Sequence, residues 1–175
     1  RIAAETDRAI DILDSAPDVS RVVGVYRQAV GFHIELGDRL AKDPTRNRAE
    51  AERMYRRAAA LTERYATMLG GGAAGAGSQP AVKDGDSTET AETYKRLAGI
   101  YLRLRDTEQT LDAARRAREL APFDAMGYRL AAVALTTARR LDEAAVLLLT
   151  GFLVTGDGEL RQASIDLYAS DPGPK

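Results

Sequence analysis

The stretch AETYKRLAGIYLRLRDTEQTLDAARRARELAPFD, Ala91 to Asp124, decides the fold. Laid against the chain 34 residues further on, it pairs Tyr94 with Tyr128, Lys95 with Arg129, Ala98 with Ala132, Arg105 with Arg139 and Leu120 with Val154. Its apolar residues recur at three- and four-residue spacing, the period of a helix face, and no run alternates in the two-residue rhythm of a strand. Asp106 with Gln109 marks a helix start inside the stretch, and Pro122 introduces the next helix.

Outward from this stretch the same periodicity predicts an all-α protein. On the C-terminal side it predicts helices over Phe123 to Ala138, Leu141 to Thr155 and Glu159 to Ala169, with Gly156 to Gly158 as the break before the last. On the N-terminal side Asp86 with Glu89 reads as a capping box opening a helix over Ser87 to Arg105. Earlier helices are expected over Ile2 to Ala16, Val19 to Ala41 and Arg46 to Leu69, divided by Pro17-Asp18 and Asp43-Pro44. Between the halves, GGGAAGAGSQPAVKDGD (Gly70 to Asp86) contains six glycines and reads as a flexible linker. It spells G-x-G-x-x-G at Gly70, Gly72 and Gly75, but with no strand before it and no helix opening at the third glycine it is not a dinucleotide fingerprint. The expected organisation is therefore residues 1–69, a linker at 70–86, and residues 87–175.

Composition removes whole classes of function. The 175 residues include 25 Lys+Arg against 26 Asp+Glu, a net charge of −1, which gives no broad attraction to nucleic acid or to an anionic membrane. With no cysteine and one histidine the chain has no thiolate chemistry and no imidazole cage, so neither a metal site nor a cofactor is expected. The longest apolar stretch, Ala144 to Val154, is too short to cross a bilayer. Absence of cysteine fits the cytosol and an oxidising space such as a periplasm equally and leaves the compartment open. A start at Arg1, without a charged and then apolar leader, reads as an excised domain of a larger parent chain or as a processed terminus.

Tyr94, Leu97, Ala98, Tyr101, Ala117 and Pro122 stand at the spacings of a tetratricopeptide repeat, and Ala91 to Asp124 resembles one complete copy. Thr110 and Ala114 depart from the family's small residue and aromatic, which implies looser packing of the second helix. Ala125 to Gly158 resembles a degenerate second copy that keeps Tyr128, Ala132, Leu135, Ala144 and Leu148 but lacks the closing proline. Tyr26, Gly37-Asp38, Ala51, Tyr55, Ala58 and Leu61 resemble a third, with about nine extra residues (RLAKDPTRN) between its helices. The resemblance implies an α-solenoid of antiparallel helix pairs. The helix Leu141 to Thr155, apolar nearly all round, then needs cover on several sides, and Glu159 to Ala169 is expected to cap it through Leu160, Ala163, Leu167 and Tyr168.

In this family the first helices line a concave groove that holds peptides or partner proteins. The resemblance carries Arg27, Lys95, Arg96, Leu102, Arg103, Arg129, Val133 and Thr136 into that lining, with Arg27, Lys95 and Arg129 in phase as a basic row. Such a row implies an acidic peptide or protein as partner. Gly31, Gly99 and Val133 stand where a carboxylate clamp would need asparagine, so binding of chaperone tails is not expected. His33 falls where the repeat buries a tyrosine and reads as a partly buried packing residue, not a general base. The expectation is a non-catalytic protein-interaction scaffold. The alternative is a structural or regulatory segment of a larger bacterial enzyme or membrane protein, whose groove the parent chain fills; the Arg/Ala-rich wording resembles repeats attached to bacterial kinases and envelope proteins.

Overall fold

The computed structural model describes residues 19–69 and 84–170. The expected helix Ile2 to Ala16 and most of the glycine-rich stretch lie outside the described residues. Among the described residues the protein is all-α, with seven helices and no strand. Two compact units divide the chain, Arg1–Met68 and Leu69–Lys175.

The first unit contains α1 (Val19–Leu40) and α2 (Pro44–Leu69). Pro44 takes the first helical position, where a missing N–H has no intrahelical acceptor to lose, so α2 starts two residues before the expected Arg46. Most of the expected insertion is thereby helix and not loop. Tyr26 stacks on Tyr65 with ring centroids 5.9 Å apart, and the Tyr55 hydroxyl donates to Asp38 Oδ1 at 2.7 Å. These two pairs fix α1 and α2 as an antiparallel hairpin. At its turn end, Gly37 lies so close to the Tyr55 ring that a Cβ there would stand 2.6 Å from it. His33 is fully buried in this core, edge-on to Phe32 at 5.5 Å, and so is buried more deeply than expected.

The second unit comprises α3 (Asp84–Leu104), α4 (Thr107–Leu120), α5 (Ala125–Thr137), α6 (Leu141–Thr155) and α7 (Gly158–Ser170). Each helix packs on the next, and α3 also packs on α5. Asp84 to Asp86, expected to belong to the linker, are already helical, so Asp86 lies inside α3 and does not open it. Asp106 does cap α4, its side chain accepting from the Gln109 amide at 3.1 Å. The next cap is Asp124, beyond Pro122 and Phe123, so α5 starts later than expected.

One turn occurs twice. Among the described residues Arg105 and Arg139 are the two non-glycine residues with positive φ, at 58° and 63°. At the first, the amides of Arg105 and Asp106 donate to Leu102 and Tyr101; at the second, those of Arg139 and Arg140 donate to Thr136 and Leu135. Both are Schellman closures, three- and five-residue bonds that satisfy the last carbonyls of a helix. The second pair of helices then closes differently. Gly156, at φ 73°, turns the chain within two residues where Ala121 to Asp124 had needed four, and it replaces the missing proline.

Thr110 and Ala114 are fully buried, and the looser packing expected of them is absent. Thr110 donates its hydroxyl to the Asp106 carbonyl at 2.7 Å. The small Ala114 lets α5 approach so closely that a Cβ on Gly127 would lie 3.4 Å from the Ala114 carbonyl oxygen. At the C-terminal end Tyr128, Ala132, Leu135, Ala144, Leu148 and Leu160 form one core, with Ala163 and Leu167 packed against it. α7 therefore covers part of α6, but Tyr168 is 53% exposed and takes no part in that cover.

Candidate functional site

The charges of α3 and α5 are placed by the N-terminal caps of the helices that follow. Asp124 accepts from the Met126 amide at 2.8 Å, and its other carboxylate oxygen takes the Lys95 ammonium from α3. Glu92, one turn back on α3, holds the same ammonium at 2.5 Å, leaving the Lys95 side chain 11% exposed. The arrangement recurs one step on. Asp157 accepts from the Glu159 amide at 2.9 Å, and Arg129 from α5 bonds Asp157 at 2.6 Å and Glu159 at 2.7 Å. In each case a cation on one helix is tied to the cap of the second helix after it.

These ties shift the proton affinities. Burial on its own would lower the Lys95 pKa, but the bonds to Asp124 and Glu92 outweigh it and hold the ammonium above its ordinary value. Burial would raise Asp124, and the bonds from Lys95 and the Met126 amide hold it below the usual carboxylate range. For Asp157 the bond from the Glu159 amide leads, Arg129 adds to it, and the result is again a lowered pKa.

Beside the Arg129 tie lies a groove of about 650 Å³, within the size range of sites that seat a small ligand or a few side chains. α5 supplies Arg129, Ala132, Val133 and Thr136, α6 supplies Leu148, and α7 supplies Glu159, Leu160, Ala163, Asp166 and Leu167. Ala132, Leu148 and Leu160 are buried in its floor, whereas Val133 is 48% exposed at its mouth. The Thr136 hydroxyl donates to the Ala132 carbonyl at 2.8 Å, so its hydrogen is already bonded within the helix. Asp166, exposed on the far rim, accepts from Gln162 at 2.8 Å.

Of the residues expected to line a concave surface, the structure brings Arg129, Val133 and Thr136 into one groove. Lys95 stands outside that lining, in its pair with Asp124. Arg96 is exposed, with no ion pair among the described residues, Leu102 is half-buried, and Arg103 is exposed and donates to the Gly99 carbonyl at 3.1 Å. Arg27 is exposed on α1, in the other unit. The open positive surface expected of the basic row is thus neutralised at Lys95 and Arg129, each of which carries two carboxylates. Sequence reasoning did not single out Asp157, Glu159 or Asp166 as site residues and gave Leu167 only a capping role, although one signal was present. Asp157 follows Arg129 by 28 residues, nearly the 29 between Lys95 and Asp124.

Among the described residues no three His, Asp or Glu side chains converge to hold a metal ion, and no helix is long and apolar enough to cross a membrane. The chain matches no protein-family model and no curated protein.

Proposed function

We propose that this chain is a tetratricopeptide-like module without catalytic function, an α-solenoid that binds a partner protein through the groove between α5 and α7. The observation that carries the reading is the lining of that groove, an apolar floor and mouth beside an ion pair that is already complete. The 34-residue recurrence of the Arg105 and Arg139 closures supports the repeat architecture. At the groove, one cation, Arg129, faces three carboxylates, Asp157, Glu159 and Asp166. The rim is therefore net acidic. The preferred segment presents a leucine- or phenylalanine-sized side chain to the floor and a lysine or arginine to Asp166, in place of the acidic segment expected from the sequence.

Amide shifts of the isotope-labelled chain, titrated with short synthetic peptides, test this. A peptide carrying leucine and flanking lysines is expected to move the signals of Val133, Thr136, Ala163 and Leu167, and Val133→Asp should abolish the response while leaving the helical circular dichroism intact. Equal response to the peptide with glutamates in place of lysines, or shifts confined to another face, would overturn the reading.

A further inference from the structure

We infer that the outer face of α6 and α7 is a dimer interface, and that its occupant is the same face of a second copy of this chain. The cap residues give the register. Asp124 and Asp157 each accept the amide two residues on, so a shift of 33 residues lays α7 upon α5. That shift carries Arg161, Ile165 and Tyr168 onto Tyr128, Ala132 and Leu135. On α5 these three positions are buried in the core that α6 completes with Ala144 and Leu148, and a Cβ on Gly151 would lie 2.7 Å from the Tyr128 ring. On α7 no helix among the described residues covers the corresponding face, and Ile165 and Tyr168 are 48% and 53% exposed. α7 thus offers a vacant helix seat.

The helix beside that seat has an exposed apolar ridge. α6 was expected to be covered on several sides, yet Val146, Leu149 and Leu153 are 56%, 43% and 74% exposed. Their spacing of three and then four residues puts them on one side, as in a coiled-coil seam. The one polar side chain among them, Thr150, donates its hydroxyl to the Val146 carbonyl at 2.8 Å, so burying this side leaves no hydroxyl hydrogen without an acceptor. The Ser164 hydroxyl donates to the Ala145 carbonyl at 3.0 Å, which sets α6 and α7 in register and brings the Ile165 turn to the level of Val146. Ridge and seat are neighbours on one hairpin.

A surface that holds both a ridge and a seat for a ridge is complementary to itself under a two-fold axis. Each copy then lays its α6 on the α7 of the other, and four helices share one core. Five exposed apolar side chains, Val146, Leu149 and Leu153 on α6 with Ile165 and Tyr168 on α7, lie on this face, and a two-fold axis doubles the apolar surface that the contact buries. The charges at the edge are of opposite sign. Arg161 at the first position of the seat and Asp142 at the start of the ridge are both exposed, neither has an ion pair among the described residues, and the two signs are complementary across the axis.

Light scattering on the full chain, separated by size at rising concentration, tests the inference. The expected result is a mass twice that of the chain, falling to the chain mass on dilution. Leu153→Asp on α6 and Ile165→Lys on α7 should each give a monomer with unchanged helical content, while Phe123→Ser, 79% exposed on another part of the surface, should leave the dimer intact. Because the chain has no cysteine, a further measurement is independent of those folds: Leu153→Cys mixed with Ile165→Cys should form a disulfide between copies under mild oxidation. A monomer at every concentration overturns the proposal and leaves the face to a different protein. A dimer that survives both charged substitutions, or a mixture that does not cross-link, overturns it too.

Discussion

Arg105 and Arg139 hold the same left-handed backbone 34 residues apart, each at the end of a helix and each ahead of the cap of the next. An L side chain in that conformation costs roughly 1 kcal/mol more than glycine. Both arginines are exposed and neither has an ion pair among the described residues, so the side chains return little of that cost. Arg105→Gly and Arg139→Gly should each raise the unfolding free energy by up to about 1 kcal/mol, and the two gains should add. Urea denaturation of the single and double variants checks this; a loss of stability would mean that the arginine side chains hold the turn.

Lys95 and Arg96 are neighbours in sequence with opposite prospects. Lys95→Glu places a third carboxylate beside Asp124 and Glu92 and should cost about 2 to 4 kcal/mol. Arg96→Glu changes an exposed residue and should stay within about 0.5 kcal/mol. Thermal melts by circular dichroism separate them, and equal small effects would show that the Lys95 pair forms only weakly in solution.

Stability should fall on acidification by way of the two cap aspartates. Asp124 and Asp157 are held below their ordinary pKa of 3.8, so their contribution is present in full above that value and is lost as the pH drops through the lower native value. In Asp124→Asn the contribution is absent at every pH, and the fall in urea midpoint between neutral pH and about pH 3 should be shallower than in the parent. Parallel curves for the two proteins would exclude Asp124 as a source of the acid loss.

Two helix-interior glycines should respond in opposite directions to the same substitution. Around Gly99 a Cβ meets only the end of the Arg103 side chain at 3.8 Å, so Gly99→Ala should stabilise by about 0.5 to 1 kcal/mol through helix propensity. At Gly151 it would lie 2.7 Å from the Tyr128 ring and 2.9 Å from Leu160. Gly151→Ala should therefore destabilise by about 1 to 3 kcal/mol by forcing α6 away from α5 and α7. Chemical denaturation of the pair checks the sign.

Features that neighbouring residues decide needed no tertiary contact to be read. The helix period, the Asp106 cap with Gln109, the limits of α6 at Leu141 and Thr155, and the pairing of Arg105 with Arg139 all rest on residues within a turn or two of each other, or on self-comparison. Helix starts misread by a few residues, at Pro44, Asp84 and Asp124, fell where two breakers or polar residues stood close together and local preference was divided. Where the charges end up was not legible. Lys95 and Arg129 read as an open basic row because the cap carboxylates that tie them, Asp124 and Asp157, lie 29 and 28 residues away and are brought in only when α5 and α7 dock. Composition marked α6 as apolar on all sides but not which side would stay bare. That was decided by α7, which turns Leu160 and Ser164 onto α6 and leaves Ile165 and Tyr168 outward: a helix covers only the stripe that packing geometry brings within contact, whatever the rest of its partner's surface would bury.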